Sequence, residues 1–212
     1  MKVTVFGASG GIGGHVVSQA LDAGHSVVAV VRDRARLQIS HPELEVVTTP
    51  DLHDLASLRQ ALEDSDGAIS AIGPRGRNDG PVASTATSAI LRALEANGVR
   101  RFLAVSAVPV GPSPDGDSFL NRRVIVPLIG ALLRDLYADL AAMEEDIRRS
   151  HTSWTVLRPP RLVNKPLSAH YRTTVGANVP RGYSISRADA AHAMLAAFDN
   201  PATFRQPVGV AY

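Results

Sequence analysis

The chain has 212 residues, 45% apolar and 20% charged, with a formal net charge of +2, which fits one globular domain that buries its own core and excludes a disordered or strongly basic chain. It contains no cysteine, so disulfides, thiolate metal sites and cysteine nucleophiles are excluded. No apolar run approaches the about 20 residues that a membrane helix needs, and no export signal is evident, so the expectation is a cytoplasmic protein with no membrane partner.

A predicted strand over 3–6 runs into Gly7-Ala8-Ser9-Gly10-Gly11-Ile12-Gly13-Gly14, and a helix pattern with Val16, Val17, Ala20 and Leu21 on one face follows at once. A glycine-rich turn between a strand and a helix suits a diphosphate. The backbone approaches closely, and the helix's free N–H groups and dipole favour negative charge. Gly7, Ser9, Gly10, Gly11, Ile12 and Gly13 are therefore candidate cofactor contacts.

A continuous apolar strand is predicted over 26–31, as expected where both faces of a sheet are covered. Arg32 follows it, about 20 residues beyond the last glycine, the spacing of a ribose contact. Its planar fork of donors suits a 2′-phosphate, which favours NADP(H) over NAD(H). Asp33 argues the other way, because a carboxylate there can take the ribose hydroxyl. A short helix over 35–39 and a strand over 44–48 come next. Asp51 and Leu52 are candidates for the adenine edge, and Asp54 is a helix cap.

A fourth strand over 68–72 places Ala71, Ile72 and Gly73 beside the adenosine half. A long helix spans 82–97. The fifth strand, 101–106, ends on Ser106, which the carboxyl-end rule for open α/β sheets places against the nicotinamide; Ser106 is thus both a cofactor and a catalytic candidate. A Pro/Gly-rich loop over 109–116 follows, then a helix with Leu132, Leu133, Leu136, Leu140, Met143 and Ile147 at helical spacing. A sixth strand over 154–157 precedes loop and short-strand material, broken by one helix that Ser186 can cap with Asp189 in its first turn. This alternation predicts an α/β fold, a doubly wound parallel sheet of Rossmann type. The chain reads as a single domain in which about residues 160–212 form a small C-terminal substrate lobe.

The glycine run at 7–14, Val30-Val31-Arg32-Asp33, Val105-Ser106-Ala107, Trp154-Thr155-Val156-Leu157-Arg158-Pro159-Pro160 and Ser184-Ile185-Ser186-Arg187-Ala188-Asp189 resemble the NAD(P)H-binding atypical short-chain dehydrogenase/reductases, the group that includes biliverdin-IXβ/flavin reductase and NmrA-like proteins. The resemblance implies that Pro159, Pro160 and Arg161 run under the nicotinamide and help form a substrate wall. The flavin-reductase pattern has a histidine where this chain has Arg161. The Tyr-x-x-x-Lys pair of ordinary short-chain dehydrogenases is broken, since Tyr137 is followed four positions later by Ala141. Tyr137 remains a catalytic candidate, yet a tyrosine with no neighbouring cation keeps a pKa of about 10 and is a poor base at neutral pH.

The expected function is an NADPH-dependent reductase of a flavin, quinone or similar conjugated acceptor, because such an acceptor needs stacking against the nicotinamide more than an acid/base. The alternative is an NmrA-like NADP(H)-binding redox sensor without turnover. The missing lysine and short C-terminal part oppose a sugar-nucleotide epimerase or dehydratase. The basic pairs Arg100-Arg101, Arg122-Arg123 and Arg148-Arg149 read as solvated faces, so no nucleic-acid partner is expected. The seven histidines show no metal-ligand spacing. His170 and Tyr171 lie in the late loop, where they could border a substrate. The partner expected is a small-molecule acceptor, and the chain is expected as a monomer or a homodimer with the helix around Leu136 as the dimer face.

Overall fold

The computed structural model describes residues 1–51, 54–74, 80–112 and 133–212; Leu52 and most of the loop after Gly111 fall outside the described residues. The strands β1 (Lys2–Phe6), β2 (Ser26–Val31), β3 (Leu44–Thr48), β4 (Gly67–Ser70), β5 (Arg101–Val105) and β6 (Ser153–Arg158) lie in the order β3-β2-β1-β4-β5-β6, all parallel. The sheet then continues through β10 (Gln206–Ala211), parallel to β6, to β8 (Arg172–Val175), antiparallel to β10. A separate parallel pair joins β7 (Arg161–Val163) to β9 (Ser184–Ser186). The helices among the described residues are α1 (Gly13–Asp22), α2 (Leu55–Ala61), α3 (Val82–Ala96), α4 (Arg134–Arg149) and α5 (Arg187–Phe198). The fold is the expected doubly wound, mostly parallel sheet of Rossmann type.

Both faces of the sheet are apolar because each carries its own layer of helices. Alternation along β2 shows it. Val27, Ala29 and Val31 face a core with Val3, Val5, Ile69 and Leu103 under α1 and α5. Val28 and Val30 face the other core with Phe6, Phe102 and Val156, under Leu58 of α2, Ile90 and Leu94 of α3, and Met143 and Ile147 of α4. Of the helix positions predicted to be apolar, Val16, Val17, Ala20 and Leu21 of α1 and Leu140, Met143 and Ile147 of α4 are buried, Leu133 and Leu136 are half-buried, and Leu132 lies outside the described residues.

The boundaries differ from expectation at a few points. The helix predicted over 35–39 is a single 3-10 turn, Arg34–Arg36, and the fourth strand ends at Ser70, which leaves Ala71 and Ile72 as irregular backbone. The pair Arg100-Arg101 does not form a solvated face. Arg100 is exposed, but Arg101 is buried. Its guanidinium donates to the carbonyls of Phe198 and Ala197, each at 2.6 Å, and to Thr155 Oγ1 at 2.8 Å, and it lies 4.4 Å from the Phe204 ring centroid. It thereby supplies a donor to the Phe198 carbonyl at the C-terminal end of α5 and joins Thr203 Oγ1 on the Ala197 carbonyl. Burial pulls its pKa down to about 10, so the cation persists at neutral pH.

The C-terminal segment is tied down by one carboxylate. Asp189 in the first turn of α5 is wholly buried. It accepts from the backbone N–H of Ser168 (2.9 Å) and Ala169 (2.8 Å), and from the hydroxyls of Ser168 (3.0 Å), Ser186 (2.8 Å) and Tyr212 (2.6 Å). Burial alone would raise its pKa, but the bonds from Tyr212, Ser168, Ser186 and Ala169 outweigh it and hold the pKa well below 3.8. A folded-state pKa below the unfolded value adds stability that is present above the unfolded pKa and is lost as pH falls through the folded one. Asp189→Asn is therefore expected to lower stability by about 2–4 kcal/mol in urea unfolding at pH 7. The gap between variant and wild type should narrow as the pH is taken below about 4.

Candidate functional site

The chain runs from β1 outward to β2 and β3, then returns to the opposite side of β1 as β4. Ligands of open α/β sheets bind at this switch, outside the carboxyl ends of the strands. A cleft of about 520 Å³ lies there, floored by Gly7 and Ser9–Ile12. Val31, Arg32, Arg36 and Thr49 bound it on the β2–β3 side, and Ala71–Pro74 bound it at the end of β4. Val105–Ala107 end it beyond β5, with Val82, Leu136, Leu140 and Leu162 as an aliphatic wall and Arg187 beside the glycine loop. The fold thus brings Gly7, Ser9, Gly10, Gly11, Ile12, Arg32, Ala71, Ile72, Gly73 and Ser106 to one cavity.

The floor depends on close backbone approach. Gly7 adopts φ +74°, and a Cβ there would stand 2.9 Å from the Ala71 carbonyl oxygen. A Cβ on Gly13 would stand 2.2 Å from the Gly7 carbonyl oxygen. Gly13 is buried beneath the loop rather than on the cleft surface, so its part is to let α1 sit down on β1. No side chain caps α1 and no acidic residue occupies its first turn. By contrast, Asp54 caps α2 (Ala56 N–H at 3.1 Å) and Ser186 caps α5 (Asp189 N–H at 2.9 Å). Asp139 of α4 accepts from Ala83 N–H at 2.8 Å and Ser84 N–H at 2.9 Å at the start of α3. Gly14 N–H donates to the Gly10 carbonyl at 2.9 Å, but no side chain covers the start of α1, which keeps its partial positive charge toward the cleft, the feature that suits an anion.

At the β2 end, Asp33 turns its carboxylate back on its own chain and accepts from Ala35 N–H at 3.0 Å, while Arg32 and Arg36 line the cleft. The charged side chains that line this end of the cleft are therefore cations rather than the Asp33 carboxylate. Thr49 replaces Asp51 on the wall, and its hydroxyl donates to the Asp51 carbonyl at 2.7 Å.

At the β5 end, Ser106 is 5% exposed and its Oγ has no hydrogen-bond partner among the described residues, although its backbone N–H donates to Leu157 O at 2.8 Å. A buried hydroxyl without a partner is costly unless a ligand or water satisfies it. Around it the wall is aliphatic. Tyr137 is half-buried against the α3–α4 core, one position off the helix face that Leu136 and Leu140 present to the cleft. Burial raises its pKa, which moves it further from acid/base use at neutral pH. The α4 wall is pinned from behind by Arg158, whose Nε donates to Glu144 Oε1 at 3.0 Å while Nη2 pairs with Oε2 of the same carboxylate; both side chains are buried.

The expected Pro159-Pro160-Arg161 wall is placed differently. Pro159 is buried and its carbonyl accepts from Val108 N–H at 3.1 Å, and Pro160 is half-buried. Arg161 is exposed on β7. Strand neighbours point to opposite faces, so the residue that reaches the cleft is Leu162. Arg187, Thr49 and Leu162 line the cleft and were not among the residues that sequence reasoning singled out. A second groove, of about 800 Å³, lies at the opposite edge of the sheet between the ends of α3 and α4. Its rim mixes Arg92, Arg100, Arg149 and His151 with Glu95 and Asp146. No buried unpartnered polar atom of the described residues opens into it, unlike Ser106 in the cleft. Among the described residues no cluster of His, Asp or Glu could hold a metal ion, and no helix is long and apolar enough to cross a membrane.

A family model described as NAD(P)H-binding matches residues 7–201. An uncharacterized chloroplastic protein of Arabidopsis thaliana is 31% identical over 173 residues, covering 78% of this chain and 60% of that protein, so the chain spans about three fifths of that relative. A UPF0659 protein of Saccharomyces cerevisiae is 26% identical over 225 residues, covering 99% of this chain and 92% of its own length. Among solved structures, a wide-type short-chain dehydrogenase/reductase of Veillonella parvula in complex with NADP superposes with TM-score 0.81 at 21% identity, over 100% of this chain and 94% of that one. A candidate NADH-flavin reductase of Streptococcus pneumoniae superposes with TM-score 0.81 at 20% identity, over 100% and 99%. At these identities the superpositions speak for the fold.

The floor geometry sets an expectation for stability. Gly13→Ala drives a methyl into the Gly7 carbonyl and should cost about 2–3 kcal/mol in chemical denaturation. Gly24→Ala, at φ +80° with nothing within 4 Å, should cost only about 1 kcal/mol of backbone strain.

Proposed function

The chain belongs to the NAD(P)H-binding family, and from that premise we propose that it is an NADPH-dependent reductase that passes hydride to a flavin, quinone or similar conjugated acceptor. The observation that carries this reading is the make-up of the cleft: two arginines at one end, and at the other a single buried hydroxyl in an aliphatic wall, with no lysine-paired tyrosine. The close approach of Gly7, Gly10 and Gly13 and the uncapped start of α1 fit a diphosphate. The orphaned Ser106 Oγ fits a polar ligand atom, such as a nicotinamide carboxamide, at the end of β5.

When bound, the reduced nicotinamide would supply a hydride, which carries two electrons and one proton, and the second proton needed by the reduced acceptor would come from solvent. The chain's own residues do the positioning. Arg32 and Arg36 hold the 2′-phosphate, the glycine loop and α1 hold the diphosphate, and Ser106 orients the carboxamide. Leu136, Leu140, Leu162, Val82 and Val105 present the apolar surface against which a flat acceptor stacks and exclude water from the transfer path. Tyr137, outside the wall and with a raised pKa, has no step to perform.

Arg32→Ala is expected to weaken NADPH by about 1.5–3 kcal/mol, roughly 10- to 100-fold in Kd, and to leave NADH nearly unchanged by calorimetry. In steady-state NADPH oxidation with a panel of quinones and flavins, Ser106→Ala should lower kcat/KM by about tenfold, the scale of one hydrogen bond. Tyr137→Phe should stay within about twofold of wild type. Tight NADPH binding with no turnover above background for any acceptor would remove the reductase reading and leave a nucleotide-binding protein.

A further inference from the structure

We propose that Arg187 is a diphosphate-binding residue, a guanidinium carried from the C-terminal segment onto the glycine loop to neutralise the coenzyme's central phosphates; this rests on the dinucleotide reading above. Its backbone is the first residue of α5, fixed by the Ser186 cap and by Gln19 of α1, whose Nε2 donates to the Ala188 carbonyl at 3.0 Å. From there the side chain crosses the face of Gly11. A Cβ on Gly11 would stand 2.7 Å from Arg187 Cδ and 2.8 Å from Nε. Gly11 is outside the left-handed region, so the bare backbone there is not demanded by its conformation. It leaves room for the arginine.

Among the described residues the charge of Arg187 has no carboxylate match. Its Nη1 donates to Asn164 Oδ1 at 2.7 Å, a neutral partner. Helix stability does not account for it either, because a cation at the start of a helix opposes the dipole. Two positive features therefore converge on one point of the cleft: this guanidinium and the uncapped start of α1. Both are complementary to an anion with more than one charge, which a guanidinium can grip through two donors. Arg32 and Arg36 line the same cleft separately, on its β2 side. The two basic groups thus divide the work: one reads the diphosphate common to both coenzymes, the other the 2′-phosphate that distinguishes them.

The test measures Kd for NADPH, NADH and adenosine 2′-monophosphate, which carries the 2′-phosphate without the diphosphate, on wild type, Arg187→Ala, Arg187→Lys and Arg32→Ala. Arg187→Ala should weaken NADPH and NADH alike, by about 10- to 100-fold, and leave adenosine 2′-monophosphate unchanged. Arg187→Lys should recover part of the loss, and the melting temperature of ligand-free Arg187→Ala should stay within about 2 °C of wild type. Arg32→Ala should show the complementary pattern, weakening NADPH and adenosine 2′-monophosphate but not NADH. Unchanged coenzyme affinity in Arg187→Ala overturns the inference while the dinucleotide reading stands, and so does an equal loss for all three ligands or a loss confined to NADPH. Wild-type protein that binds neither coenzyme overturns the dinucleotide reading itself, and the inference with it.

Discussion

Three stretches of backbone meet at the end of β1 with no side chain between them, and the site depends on that contact. The Gly7 carbonyl accepts from Gly10 N–H at 2.9 Å and occupies the space a Cβ on Gly13 would need, while Gly7 itself abuts the Ala71 carbonyl from the end of β4. The turn can therefore close tightly enough for Val16, Val17 and Ala20 of α1 to reach Val3 and Val5 of β1. This packing aims the start of α1 across the carboxyl edge of the sheet. Any side chain at Gly7 or Gly13 would lift the helix, and the anion-binding end would lose its place relative to β2 and β5. Packing and ligand geometry thus have a common cause.

The opposite wall is held by polar bonds instead of close-packed backbone. Asp139 ties α4 to the start of α3, the Arg158–Glu144 pair ties α4 to β6, and Asn178 Nδ2 donates to the carbonyls of Val108 and Pro112, each at 3.0 Å. Burying charges is expensive, and a pair of this kind adds less stability than its geometry suggests. Its consequence is positional, because removing either partner would leave an unmatched buried charge. Leu136 and Leu140 are therefore presented at a set height over Ser106. The α2 and α3 starts are satisfied by carboxylates and the α5 start by Ser186; α1 and α4 carry no side-chain cap, and of these two it is α1 that begins at the glycine loop on the cleft floor.

Much of this was legible in the sequence where the signal is local. The glycine turn between a strand and a helix, the continuous apolar run of β2, the alternation of elements, and the caps at Asp54 and Ser186 all depend on residues a few positions apart, and the structure forms them. Long-range placement was not legible. Arg101 sits in a basic pair that reads as solvated, yet its acceptor Phe198 lies 97 positions away. Arg161 and Leu162 are neighbours, and only the phase of a three-residue strand decides which one meets the cleft. The same holds on α4, where Leu136 rather than Tyr137 carries the wall. Arg187 stood within a recognisable motif, but nothing adjacent in sequence shows that α5 packs against α1. The return of β8 antiparallel to β10 was equally hidden, because β8 is short and largely exposed and lacks a one-sided apolar pattern.

On the reading of the cleft as an NADP(H) site, the distribution of charge constrains the chemistry at its far end. Cations gather where phosphates would lie, at Arg32, Arg36 and Arg187, and among the described residues none lines the wall around Ser106. Among the described residues, an alkoxide developing on a carbonyl substrate would find one hydroxyl donor there and no cation to lower a proton donor's pKa, so these residues would offer the reduction of an isolated ketone little stabilisation. A conjugated acceptor spreads the incoming charge over its ring system and needs less from the protein at that point. Its proton can arrive from water once the electrons have moved, since the acceptor's heteroatoms need not be enclosed for transfer to occur. An aliphatic wall with a single hydroxyl therefore suits an acceptor that carries its own electron sink, and the same wall disfavours one that must borrow an acid from the enzyme.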